Sequence, residues 1–197
     1  PSTTNAYNTT LPNLNPGATY YVRSYAINGV GAGYGQEITL KTADIKLPTV
    51  DPTCLPATAI TYSDATVSAN ITNDGLSNKL ETGIIFSTSS NPTDLTFNNA
   101  NSQTVKSTLT TAGKITMVLS NLKVGTKYFY VSYAKNEAGI SYGPVCTFTT
   151  VDFTGPTLAQ NCIAASNIGV NVATITGDVV NDGGITTLEK GFIFNTS

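Results

Sequence analysis

Apolar and polar residues alternate with a period of two along much of this chain. Ala65, Val67, Ala69 and Ile71 are interleaved with Thr66, Ser68, Asn70 and Thr72, the pattern of a strand with one buried and one solvated face. Ile115, Met117 and Leu119 repeat it and lead to Leu122. Tyr128, Tyr130, Ser132 and Ala134 line one face of a long central strand, and Gly83 to Phe86 makes a short, more fully apolar one. A strand from Tyr142 to Thr150 closes the set. Asn73-Asp74-Gly75 is a turn, because all three residues tolerate positive φ. No long run carries apolar residues at helical spacing, and Pro and Gly are scattered. The pattern predicts an all-β chain.

Shifting the chain by 108 residues aligns it on itself without a gap. Leu14, Gly17, Tyr20, Ser24, Tyr25, Ala26, Asn28, Gly31, Tyr34 and Gly35 fall on Leu122, Gly125, Tyr128, Ser132, Tyr133, Ala134, Asn136, Gly139, Tyr142 and Gly143. Pro48, Cys54, Asn73, Asp74, Gly75, Leu80, Glu81 and Gly83 likewise fall on Pro156, Cys162, Asn181, Asp182, Gly183, Leu188, Glu189 and Gly191. About 30 of the 76 positions from 14 to 89 are identical. Solenoid repeats run to roughly 20–45 residues, so a unit of 108 fits one β-sandwich of about 100 residues instead. The register predicts three parts: residues 1–45 as the C-terminal half of a module, 46–152 as a complete module, and 153–197 as the N-terminal half of a third. Each half alone leaves a sandwich face open, so the expectation is either a longer chain or completion by neighbouring chains.

Composition narrows the function classes. Only 11% of residues are charged while 40% are hydrophobic, and Thr, Asn and Ser supply the polarity. The net charge is −2, with Lys and Arg scattered singly; there is no basic stripe to neutralise phosphates, which argues against nucleic acid. No apolar run approaches the length of a membrane span. The chain contains no His, which removes the commonest general base and zinc ligand.

Leu119-x-x-Leu122-x-x-Gly125-Thr126-x-Tyr128, followed by Ala134-x-Asn136-x-x-Gly139 and Phe148-Thr149-Thr150, resembles the last three strands of a fibronectin type III domain. Residues Leu11 to Gly31 carry the same signature. The resemblance implies tandem immunoglobulin-like (fibronectin type III-like) β-sandwiches. It also implies that Tyr20 and Tyr128 form tyrosine corners, each hydroxyl bonding back to nearby backbone. The family's usual Trp is absent, and Ala69 and Gly177 stand in that strand. Asn-Asp-Gly followed by Glu81-Thr82-Gly83 is similar to modules of cell-surface and secreted proteins of Bacteroidota.

First and last strands of such a sandwich can run side by side, so a Cys54–Cys146 disulfide is expected. Cys162, the repeat equivalent of Cys54, would find its partner beyond Ser197. The alternative is three buried free thiols. A disulfide implies an oxidising, extracytoplasmic compartment.

No nucleophile–base constellation is present, and Glu81 and Glu189 are explained as one repeated structural position, so no enzyme activity and no cofactor are expected. Asp74 and Asp182 offer oxygens to calcium, but Asn-Asp-Gly lacks the dense acidic spacing of a calcium loop, and the turn reading is preferred. The outward row of the central strand, Tyr21, Arg23 and Tyr25 in one copy and Phe129, Val131 and Tyr133 in the next, is a candidate binding face for a protein or glycan; cross-strand pairing is the alternative. Pro48 and Pro52, with Gly155-Pro156 at the next joint, limit bending between modules. The expected function is a structural or adhesive repeat region of an extracellular or cell-surface protein, a semi-rigid stalk or filament whose partners include neighbouring modules. The alternative is an accessory spacer or carbohydrate-binding region of a secreted carbohydrate-active enzyme.

Overall fold

The structure is a computed structural model that describes residues 6–159, 165–185 and 188–196; Cys162 lies outside them. Four short strands precede residue 46: β1 (Thr19–Val22), β2 (Tyr25–Ile27), β3 (Ala32–Tyr34) and β4 (Ile38–Lys41). The middle of the chain holds β5 (Thr49–Val50), β6 (Ala65–Asn73), β7 (Glu81–Ser87), β8 (Gln103–Lys106), β9 (Gly113–Leu119), β10 (Lys127–Asn136), β11 (Gly139–Tyr142) and β12 (Cys146–Thr149). Beyond it come β13 (Thr157–Leu158) and β14 (Val179–Asn181).

The middle strands form two antiparallel sheets. One runs β5-β6-β9. The other is built around β10, which pairs with β7 from Phe129 opposite Ser87 to Lys135 opposite Glu81. The other edge of β10 is shared: β12 takes its first half and β11 its second. β8 pairs with the far side of β7. Ala65, Val67, Ala69 and Ile71 of β6 and Ile115 and Leu119 of β9 meet Ile84 and Phe86 of β7 and Tyr128, Tyr130 and Ala134 of β10 in one buried core. The period of two therefore does what it predicts, sending one row inward from each sheet. Thr82 and Ser132 are buried polar residues on these strands; Thr82 is fully buried, and its hydroxyl donates to the Leu109 carbonyl at 3.1 Å.

The closing strand differs from expectation. It is not continuous from Tyr142 to Thr150 but breaks at Gly143-Pro144-Val145 into β11 and β12. Pro144 has no N–H to donate to a ladder, and the pairing resumes at Cys146. Gly143 still donates to the Ser132 carbonyl, at 2.8 Å.

Before residue 46 the strands pair only as β1–β4 and β2–β3 among the described residues. Past residue 153, β13 pairs with β14, and Ser166 bridges Thr174. Among the described residues no helix is long and apolar enough to cross a membrane.

Candidate functional site

Three features expected from sequence can be placed, beginning with the tyrosine corner. The Tyr128 hydroxyl accepts the backbone N–H of Lys123 at 2.8 Å, and the Tyr20 hydroxyl accepts that of Asn15 at 2.7 Å. Both bonds span five residues and anchor the start of their strand to the loop before it.

The second feature is the disulfide. Cys54 and Cys146 are bonded, with Cα atoms 5.8 Å apart and 92 residues of separation. Cys146 enters from β12, and Cys54 lies in the extended segment between β5 and β6. Tyr130 stands opposite Cys146 in the ladder, and its hydroxyl donates to the Leu55 carbonyl at 2.9 Å. The bond and this contact together hold the segment between β5 and β6 against the five-stranded sheet.

The third feature, the outward aromatic row, requires a correction. Val131 and Tyr133 do point away from the main core, but they are not exposed: Tyr133 is 0% accessible and Val131 3%. The segment between β7 and β8 folds back over this face. It contains a single 3-10 turn, Pro92–Asp94, whose Asn91 cap accepts from the Thr93 N–H at 3.2 Å. The Asp94 carboxylate holds the segment closed by accepting from the Ser89 hydroxyl and, at 3.1 Å, from the Asn101 amide. Those two bonds hold the Asp94 carboxyl below its usual range. Leu95 and the half-buried Phe97 then pack over Ile85, Val131 and Tyr133, making a second small core. The Phe97 ring meets that of Tyr133 edge-on at 5.1 Å. Phe129 is half-buried, with the Lys127 ammonium 5.2 Å from its ring centre. Tyr21 and Tyr25, 108 residues before Phe129 and Tyr133, are 70% and 63% exposed. The structure therefore does not bring the four aromatics into one exposed face.

A polar cluster rims the covered row. The Tyr133 hydroxyl donates to Glu81 at 2.9 Å, and Lys106 pairs with the same carboxylate at 3.2 Å. Burial opposes ionisation of Glu81, but the Tyr133 and Lys106 hydrogen bonds and the charges of Lys106 and Lys135 outweigh it and hold the carboxyl below its ordinary value. Burial first, then the neighbouring Glu81, pushes the Tyr133 phenol well above its usual value. Lys135 and Lys106 also lie 4.7 and 5.8 Å from the centre of the Phe97 ring. This arrangement ties the covering segment to the sheet.

The Asp74 and Asp182 carboxylates accept from the N–H groups of Leu76 and Gly184 at 3.0 and 2.9 Å, so each caps its own turn. Among the described residues no three His, Cys, Asp or Glu side chains converge as metal ligands. Leu95 and Phe97 are the residues that pattern reading missed, together with the second cover that they place over Ile85. The available signal was the run Gly83-Ile84-Ile85-Phe86, since consecutive apolar residues in a strand mean cover on both faces.

No family model matches the chain, and no curated protein does so either. Among solved structures, domains d3-d4 of the rat CD45 extracellular region match at 13% identity and a TM-score of 0.43, covering 75% of this chain and 72% of theirs. The chicken CNTN1 FN1-FN3 domains match at 20% identity and a TM-score of 0.40, over 71% of this chain and 45% of that one. The sensor domain of the anti-sigma factor RsgI4 of Pseudobacteroides cellulosolvens matches at 21% identity and a TM-score of 0.37, over 52% of this chain and 95% of that one. The structural neighbours are fibronectin type III and related β-sandwich domains.

Proposed function

We propose that the chain is a stretch of serial β-sandwich modules with a 108-residue period, partitioned at residues 45 and 152, serving as a noncatalytic, semi-rigid stalk or filament of an extracellular or cell-surface protein, of the type found in Bacteroidota. The observation that carries this reading is the recurrence of local bonds at that spacing. The corner bond of Tyr20 recurs at Tyr128. The Thr42 hydroxyl donates to the Asn15 carbonyl, and Thr150 to Lys123, both at 2.6 Å. Gly75 and Gly183, at φ of 75° and 78°, each donate their N–H to the side-chain carbonyl of the Asn two residues earlier, at 2.7 Å. The linker N–H of Lys46 bonds the Gly75 carbonyl, and that of Thr154 the Gly183 carbonyl, at 2.8 and 3.1 Å. The Cys54–Cys146 bond is consistent with an oxidising compartment.

The stalk reading is preferred to a sugar-binding accessory role because the aromatic row that would favour the latter is buried at Tyr133. Its test is small-angle scattering on chains extended by one and two further copies of residues 46–153. A stalk predicts that the maximum dimension grows by a constant increment per copy; growth as the cube root of mass overturns it.

A further inference from the structure

Leu76 is doubly unusual. It sits at φ 65° and its side chain is 66% exposed. Left-handed backbone is costly for a bulky residue, and an apolar side chain in water returns nothing for that cost. Its repeat equivalent is Gly184, at φ 82°. Gly184 lies directly against the Tyr62 side chain: a Cβ built on it would overlap the ring and hydroxyl of Tyr62. Tyr62 also packs on Phe153, with ring centres 5.1 Å apart. The surrounding backbone is tied at both sides. Val151 N–H donates to the Thr61 carbonyl at 3.0 Å, and Thr154 N–H to the Gly183 carbonyl at 3.1 Å. A loop of the middle module, a linker residue and the turn of the following segment thus meet at one point.

Moved back by 108, Phe153 becomes Ile45 and Gly184 becomes Leu76. The linker is held to the turn there in the same way, through Lys46 and Gly75. We propose that Ile45 and Leu76 form a docking surface for a preceding module of the same kind, received at the position equivalent to Tyr62, and that each joint is matched by size. A large Tyr faces Gly at one joint, and a smaller residue faces Leu at the other. Val170, 108 residues after Tyr62 and fully exposed, is such a smaller residue at this position. Without a fitted contact, neighbouring domains reorient freely; with one, the joint has a set angle.

This inference rests on the serial-module reading, and residual dipolar couplings on the full chain separate the two. Couplings from residues 65–149, 154–159 and 165–184 should fit a single alignment in the unaltered chain. Tyr62→Val alone, and Gly184→Leu alone, should each lose the common alignment. The double variant rebuilds the pairing inferred for Leu76 and should recover it. Single variants that keep the common alignment, or a double variant no better than either single, overturn the size-matched joint. Two alignments in the unaltered chain, with the Thr154 amide still protected from exchange, overturn the joint alone. An unprotected Thr154 amide alongside a protected Lys46 amide overturns the modular reading beneath it.

Discussion

Strands β1 to β4 and strands β10 to β12 pair in the same registers, yet they differ sharply in burial. Thr19 to Val22 pair with Lys41 to Ile38 as Lys127 to Tyr130 pair with Thr149 to Cys146. Tyr25 opposes Tyr34 as Tyr133 opposes Tyr142. But Tyr25 is 63% exposed where Tyr133 is 0%, and Ile38 is 62% exposed where Cys146 is 9%. Hairpin registers and corner bonds are set by residues close to one another in the chain, so they form in both places. Burial of the two faces needs the opposing sheet β5-β6-β9 and the covering segment around Leu95, which among the described residues flank only β10 to β12.

The largest way to erode that difference is to open the disulfide. The chain-entropy account assigns about 4 to 5 kcal/mol to a closed loop of this length. Urea unfolding of the disulfide-closed sandwich should therefore lose roughly that much on reduction; an unchanged midpoint would mean that the bond adds nothing to stability. Next comes the covering segment. Leu95→Ala should cost about 3 kcal/mol, as for other buried leucines. It should also expose Tyr133 to nitration at a rate approaching that of Tyr25. Protection of Tyr133 that survives the substitution would show that the segment does not do the covering.

The main fold was legible because each core strand carries its own alternation; the residue types of Asn73-Asp74-Gly75 gave the turn, and the resemblance to fibronectin type III domains gave both tyrosine corners. The Cys54–Cys146 pairing followed from reading the sandwich's first and last strands as neighbours. What was not legible depends on contacts distant in sequence. Nothing local to Tyr133 says that Leu95 and Phe97, some way back along the chain, lie on it; only the unbroken apolar run at Ile84-Ile85 hinted at a second cover. β8 escaped notice because Gln103-Thr104-Val105-Lys106 is an edge strand with one apolar residue. The split at Pro144 was readable in principle from its missing donor.

A smaller effect tests the part of the comparison that is shared. Tyr128→Phe leaves the Lys123 N–H without its partner and should cost about 1 kcal/mol. The same change at Tyr20 should leave the middle module's unfolding untouched, since that corner belongs to the other hairpin. Equal losses from both would mean that the two regions unfold as one unit.

The smallest effect is confined to pH, and it belongs to the rim of the covered row. Glu81 is held below its ordinary carboxyl value in the fold, so its contribution is present above about pH 4.5 and fades as pH falls through the lowered folded value. Tyr133 is raised by burial and by Glu81. Its contribution is complete below about pH 10 and is lost as pH rises through the raised folded value. The Glu81 side chain is 34% exposed, so solvent screening keeps the acid-side contribution under about 1 kcal/mol. Glu81→Gln should flatten the acid limb of the stability profile, and Tyr133→Phe should remove the alkaline limb, both followed by chemical denaturation across pH. If the alkaline limb survives Tyr133→Phe, the coupling between covering segment and sheet does not run through Tyr133.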